Sequence, residues 1–528
     1  MLLLTLLVRI PGLTRPLVGN FATRNVVQAM AARNWARGEA PWWRPTLDCL
    51  ADGQPAWHLV EVPCSAYLTA ALWKTFGGSL DTWGRTTAIA WSVLSAALIY
   101  DLVRRRAGDV AAGAAAFTLA VAPISVIYGQ SFLLEPSVVA LTLAAWWGTE
   151  RYARYVQTNT SPTRQRGGEV DERSNPVTRN TTSVPPRWRV GLVLAVAVCL
   201  PLTLLWLTKV YMVVVALPLA WLVWSESPPR SWRNLLPFAA ILLIAALPTL
   251  WWCYRVWQLA GPGAPSAERV YYSLFSSATE HGFPHELLFD PAFYRRFLLD
   301  LGTVVLTPLG AIGLMFGAQR VAWRKWWPVG VAMLLLLVAM PRKFHEMNYY
   351  HLLFLPVWAA MIGLGWKHLA ACFAPSRWAT TAVIAIVLLF SARYSLRPAF
   401  VTPAEDRSVI QAAEALRTLA APDDKIIASH GTTLDLLYYA DRRGWAMPVT
   451  GDDVAQRIEG RRAEGAKWLV IAGKSELFLP ELAEVALQKY PVAASGVGFR
   501  VYRLEAAEAG TRDESAAKTA MPTAPGAK

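Results

Sequence analysis

The chain has 528 residues, 54% of them hydrophobic and only 17% charged, with a formal net charge of +14. So large an apolar share with so few charges excludes an ordinary soluble domain and a disordered chain, and points to a polytopic membrane protein. The basic excess does not indicate nucleic acid, because the cationic residues gather in alternate loops between apolar segments.

"MLLLTLLVRIPGL" opens the chain and is short for a span: either the true start lies elsewhere, or residues 1–17 span with Arg9 awkwardly inside. A signal peptide is the competing reading, but no small-residue cleavage site follows. Segment 19–85 reads as a large outer loop with two interfacial amphipathic helices, over 24–38 and 62–78. Windows long enough to cross a bilayer recur at 86–103, 108–127, 132–150, 190–208, 210–224, 235–253, 302–318, 326–340, 349–366 and 379–395, about eleven with the first. Segment 155–187 is polar, rich in Pro, Gly and Thr and without period, which predicts a disordered loop. The aromatic-rich loop 254–300 predicts helices capping the outer face. From Pro403 helical and strand patterns alternate: "KIIASH" and "KWLVIAG" as strands, "VAQRIEGRRAEGA" and "LFLPELAEVALQKY" as helices, and "FRVYRLE" as an edge strand. The expected fold class is thus a polytopic all-α membrane protein over 1–395, a small α/β domain over 403–505 and a disordered tail over 506–528.

Arg104–Arg105–Arg106, the eight arginines from Arg151 to Arg189, Arg230 with Arg233, Arg320 with Arg324 and Lys325, and Lys367 with Arg377 all fall on one side. The short loops opposite hold only Lys209, Arg342 and Lys343. The positive-inside rule places the arginine-rich side in the cytoplasm, so 19–85, the Glu135 end of its helix, 254–300 and the C-terminal domain face outward from the inner (plasma) membrane. Of five cysteines, Cys49 and Cys64 share the outer loop and can pair if that compartment is oxidising.

The candidate chemistry gathers on that outer side. Glu135 stands in "GQSFLLEPSVV", about one helical turn inside the outer end of its span, as a carboxylate in a stretch of membrane character. Its alternatives are an interfacial residue that ends a helix and a ligand-facing carboxylate. Glu61 lies between apolar residues in "WHLVEVPCSAYL", with Asp48 and Asp52 before it. "PRKFHEMNYYHLLFLP" packs Arg342, Lys343, His345, Glu346, Tyr349, Tyr350 and His351 into the entry of a span, a pattern suited to a phosphate whose lipid tail stays in the bilayer or to an anchor on lipid headgroups. Lys209 divides a long apolar run, either snorkelling to the interface or adding positive charge beside the same phosphate. His345 and His351 lie six residues apart, but no tight Cys/His/Asp pattern supports a metal, so no cofactor is expected beyond an unsupported divalent ion. No P-loop, GxGxxG, GxSxG or HExxH motif is present. A substrate handled outside, away from ATP, has to carry its own activation, as a lipid-phosphate-linked sugar does.

Four segments in order carry a resemblance: "RNVVQAMAARNW", "VEVPCSAYLTAALWKTFG" followed by "WGRTTAIAWSVLSAALIY", "GQSFLLEPSVV" and "LTKVYMVVVALP". Together they resemble GT-C type membrane glycosyltransferases, specifically the group of dolichyl-phosphate-mannose–protein mannosyltransferases and lipid A aminoarabinose transferases (glycosyltransferase family 39-like). The resemblance covers roughly residues 1–395. It implies inverting transfer of a sugar from a polyprenyl-phosphate carrier to a lipid, protein or polysaccharide acceptor at the outer face, with a carboxylate as general base and cations on the departing phosphate. With the reading of the residues above, the catalytic candidates are Asp48, Glu61 and Glu135, and the donor-binding ones Lys209, Arg342, Lys343, His345, Tyr349 and Tyr350.

The chain departs from that group at one important place. The family usually carries an acidic residue, often Asp-Glu, just after the first span; here "GNFATRNVVQ" has Asn20, Arg24 and Asn25 and no carboxylate before Glu39. The lysine the family places after its E-x is replaced as well, since Val62 follows Glu61. Three accounts stand: Asp48 or Glu61 assumes the role, Glu135 does, or the chain is a non-catalytic protein of the same fold that binds a glycolipid or partner. A transporter is disfavoured by the large outer loop and the terminal α/β domain.

Overall fold

Two units make up the computed structural model, Met1–Pro403 and Ala404–Lys528. It describes residues 1–19, 21–160, 187–226, 232–274, 285–321, 323–373, 377–477 and 479–504. Most of the loop expected over 155–187, the tail expected over 506–528 and Asn20 lie outside the described residues.

The first unit is mostly helical. α1 (Leu2–Leu7) is followed by a short 3-10 turn, and the awkward Arg9 proves fully buried. Its guanidinium donates to the carbonyls of Thr5 (2.8 Å), Ala120 (3.1 Å) and Ser125 (2.9 Å), so the charge is met by backbone dipoles rather than by lipid. α2 (Ala22–Ala36) comes next, then a hairpin of β1 (Thr46–Ala51) and β2 (Gln54–Leu59), then α3 (Cys64–Phe76). The hairpin turns on Asp52 and Gly53, both at positive φ (49° and 65°), the pair of left-handed residues that a two-residue turn matching strand twist requires. A distant strand, β3 (Val270–Ser273), pairs parallel with β2, so segment 254–300 supplies a strand as well as the expected helices, Pro291–Asp300 among them.

α4 (Leu80–Ala107) starts at Ser79, whose hydroxyl accepts from the Thr82 amide, and stops at Gly108. Pro123 divides the next expected span into α5 (Asp109–Val121) and α6 (Pro123–Tyr128). α7 (Glu135–Thr160) begins at Glu135 itself, which is therefore the first residue of the helix and not a turn inside it. Pro136 fits there because the second residue of a helix needs no intrahelical amide. Beyond Arg187–Thr208 the chain passes through a 3-10 turn (Val210–Val215) into Ala216–Glu226 and Trp232–Ala260. A 112° bend separates Pro291–Val305 from Pro308–Ala318. Among the described residues four helices are long and apolar enough to cross a bilayer alone: Leu80–Ala107, Arg189–Thr208, Leu235–Ala260 and the one that starts at Trp378. The bent pair makes a fifth if it counts as one, and shorter apolar helices include Asp109–Val121 and Val210–Glu226.

Small residues let these helices approach closely. Ala111, Ala112, Ala115 and Ala116 of α5 are fully buried, and a Cβ on Gly363 of helix Leu355–Phe373 would lie 2.3 Å from the Ala111 carbonyl. Cys49 and Cys64, allowed as a pair by the sequence, are both free thiols.

The second unit is an α/β domain with sheet order β5–β4–β6–β8–β7: Gly444–Ala446, Lys425–Ser429, Ala466–Ala472, Phe499–Arg503 and Val492–Gly496. The first three strands run parallel, and β8 lies antiparallel between β6 and β7. "FRVYRLE" is thus an inner strand, because "VAASG", unassigned from sequence, supplies the edge.

Candidate functional site

Three segments far apart in sequence meet at one end of the helix bundle. Val62 donates its amide to the Leu207 carbonyl (3.0 Å), which ties the connection after β2 to the end of helix Arg187–Thr208. That bond puts Glu61 next to Lys209. Trp57, Leu59 and Val62 anchor the same connection by packing on Trp252 and Val256. The Lys209 ammonium sits between two carboxylates, 3.3 Å from Glu61 Oε2 and 3.4 Å from Glu135 Oε1. All three are buried, with 8%, 5% and 3% of their surface exposed. Glu135 also lies at the N-terminus of α7, where the helix dipole favours a negative charge.

Further cations surround this triad. Arg24, in the first turn of α2, lies within electrostatic range of Glu61, and its guanidinium is 5.7 Å from the Tyr272 ring centre. Lys343, in the short helix Pro341–Glu346, stands 5.8 Å from the Tyr350 ring centre. Burial first, then the charges of Lys209 and Arg24, push its pKa down to about 8. Burial opposes ionisation of Glu61, but its neighbours, Lys209 foremost, outweigh it and hold the carboxyl below its usual range. The buried rings of Tyr349 and Tyr350 stack on each other at 4.8 Å, and Tyr349 meets Phe21 edge-on at 4.9 Å. Phe21 itself adopts a left-handed backbone (φ 56°) at the entry to α2, a strained conformation for a bulky residue next to the tyrosines.

The remaining candidates are placed differently. Asp48 is buried, with its oxygens engaged by the Arg33 guanidinium and the Asn34 amide, an ion pair joining β1 to α2. Asp52 is the left-handed residue of the hairpin turn. Arg342 pairs with Glu346 at 2.7 Å near the surface. His345 stacks on Phe293 at 5.9 Å, and a ring nitrogen of His351 lies 3.3 Å from the Phe344 carbonyl. Among the described residues no group of three or more His, Cys, Asp or Glu side chains is arranged to hold a metal ion.

Two residues near this triad are not among the candidates read from the sequence: Arg24, which enters there only as part of the segment without an acid, and His58 of β2, whose imidazole lies within electrostatic range of Glu61, Arg24 and Lys209. An arginine on the third residue of an interfacial helix was the available signal for the first; the second had none, since its place depends on the strand pairing of β2 with β3.

No family model matches the chain, and no curated protein matches it. Among solved structures it is similar to ArnT from Cupriavidus metallidurans bound to undecaprenyl phosphate, with 14% identity, a TM-score of 0.53, and 95% of this chain and 96% of that one covered. The apo state of the same protein gives a TM-score of 0.54. It is also similar to the oligosaccharyltransferase of Archaeoglobus fulgidus, tethered with an acceptor peptide, with 13% identity, a TM-score of 0.52, and 95% and 72% of the two chains covered. At such identities the likeness concerns the fold alone: this is a multi-pass membrane protein with the fold of GT-C glycosyltransferases.

Proposed function

We propose that the chain is a glycosyltransferase that moves a sugar from a polyprenyl-phosphate carrier to an acceptor hydroxyl at the outer face of the cytoplasmic membrane. The observation that carries this reading is the buried Lys209 held between Glu61 and Glu135, with Arg24 and Lys343 beside it. Counting Arg24, Lys209 and Lys343 against Glu61 and Glu135 leaves an excess of one positive charge, so an anion entering the pocket improves its balance. A neighbour of the same fold supports the choice of anion: ArnT was solved with undecaprenyl phosphate.

In the proposed reaction the acceptor oxygen attacks the anomeric carbon and gives its proton to Glu61 or Glu135. The bond from that carbon to the phosphate oxygen breaks, and the polyprenyl phosphate leaves with the electron pair. Lys209, Arg24 and Lys343 stabilise the charge that develops on the phosphate. The absent acid after the first span does not remove a base from this scheme, since two carboxylates already meet at Lys209. Asp48, committed to Arg33 and Asn34, is read as structural.

The test is transfer from radiolabelled undecaprenyl-phosphate sugars in membranes, with mannosyl, glucosyl and aminoarabinosyl donors. Wild type should transfer from at least one donor, and Glu61→Gln or Glu135→Gln should lower the rate by about 100-fold or more for whichever is the base. A wild type that binds a donor without turning it over would leave the binding protein of the same fold; one that binds none ends the proposal.

A further inference from the structure

The strand that leads to Glu61 buries a histidine with nothing to bond. His58 is 3% exposed, and neither ring nitrogen has a hydrogen-bonding partner among the described residues. Alternation along β2 explains its direction. Trp57 and Leu59 face the apolar cluster with Trp252, so His58 faces the other way. There it is in register with Tyr272 of β3, whose ring lies under the Arg24 guanidinium. The groups whose charge reaches the imidazole are Glu61, Arg24 and Lys209. Leaving both nitrogens of a buried imidazole unpaired is costly, and a group left so in a native structure calls for a partner or a functional role.

The surroundings narrow the chemistry of that ligand. Cations for an anion are already supplied by Arg24 and Lys209, so an imidazolium would add a further positive charge in a buried place. Burial first, and then Arg24 and Lys209, push the pKa down to about 4, which keeps the ring neutral at physiological pH. A neutral imidazole offers one N–H donor and one nitrogen acceptor, which matches a hydroxyl. We propose that His58 is a specificity-determining residue that binds a hydroxyl of the sugar attached to the carrier, next to the phosphate held by Lys209 and Arg24. This rests on reading the Lys209 pocket as the carrier-phosphate site, and the probes separate the two ideas.

The experiment measures binding to the full-length protein in nanodiscs, using undecaprenyl phosphate alone and its mannosyl, glucosyl and aminoarabinosyl forms. At least one sugar-bearing probe should bind about ten-fold or more tighter than the bare phosphate in wild type. His58→Phe should abolish that gain and leave bare undecaprenyl phosphate within about two-fold of wild type, while His58→Gln, which keeps a donor and an acceptor, should restore part of it. The gain should also stay flat between about pH 5.5 and pH 8, because the ring does not titrate there. If no sugar adds affinity, if the gain survives in His58→Phe, or if both His58 variants weaken bare phosphate equally, the assignment of His58 is overturned and the phosphate site stands. If wild type fails to bind bare undecaprenyl phosphate, the pocket reading falls and this inference with it.

Discussion

Lys209 is the residue on which the proposed site depends. Its ammonium compensates two buried carboxylates at 3.3 and 3.4 Å, so Lys209→Met would leave both uncompensated in a place water does not easily reach. Removing one member of a buried ion pair costs about 3–5 kcal/mol, and the expected outcome is a strong drop in thermal unfolding temperature in detergent. Glu61→Gln should be milder, since Lys209 keeps Glu135; equal losses in the two variants would mean that the pair does not act as a unit. Lys343 makes a separate prediction about pH. Its ammonium loses its proton in the folded protein near pH 8, and a bound phosphate favours the charged form. Binding therefore takes up a proton above that pH, and affinity for undecaprenyl phosphate should fall as pH rises from about 7.5 to 9.5. Lys343→Met should bind more weakly and show a flat profile over the same window, as read by titration in nanodiscs.

At the scale of elements, the hairpin between α2 and α3 decides which acidic residues reach the site. Arg33 and Asn34 of α2 hold Asp48 of β1, while the other end of the hairpin delivers Glu61 to Lys209. Asp48→Asn should therefore lower stability, by about 3 kcal/mol or more for a buried pair, while folded molecules keep their transfer rate. A dead enzyme with unchanged thermal unfolding would make Asp48 the base instead. The sequence offered part of this. The helices on either side are legible from apolar spacing, whereas Glu135 is read a turn inside its span although an acid followed by Pro136 is a helix-start signal. The hairpin is not among the elements expected from sequence, although "LADGQ" carries the Asp-Gly signal for a two-residue turn; Asp48 and Asp52 are acids by type but serve in a strand and a turn. The meeting of Glu61 with Lys209, 148 positions apart, depends on the backbone bond from Val62 to Leu207, which no local pattern encodes. β3 was missed for a related reason: four residues in an aromatic loop become a strand only because β2 offers an edge.

For the membrane unit as a whole, the arginine cluster at the end of the bundle remote from Glu61 and Lys209 predicts its orientation. Asp101 and Glu150 are ringed by Arg104, Arg105, Arg151, Arg106 and Arg154, and Arg106 also reaches Glu226. Arg85 bonds the Pro16 and Gln130 carbonyls at the site end of α4, and the twenty residues from there to Arg105 span about 30 Å at 1.5 Å per residue. The arginine-rich end is thus separated from Glu61, Lys209 and Glu135 by roughly the thickness of a bilayer core. If positive charge stays in the cytoplasm, the pocket opens outward, where nucleotide sugars are absent and a carrier-borne sugar is the available activated donor. Variants that each keep a single cysteine separate the two orientations. Cys372, exposed near the end of helix Leu355–Phe373 away from Tyr349 and Tyr350, should react with an impermeant maleimide only after cells are permeabilised. A cysteine replacing the exposed Thr75, near the end of α3, should react in intact cells. The reverse pattern would put the pocket in the cytoplasm and remove the reason for a lipid-linked donor, because a soluble nucleotide sugar could then reach Glu61 and Lys209 directly.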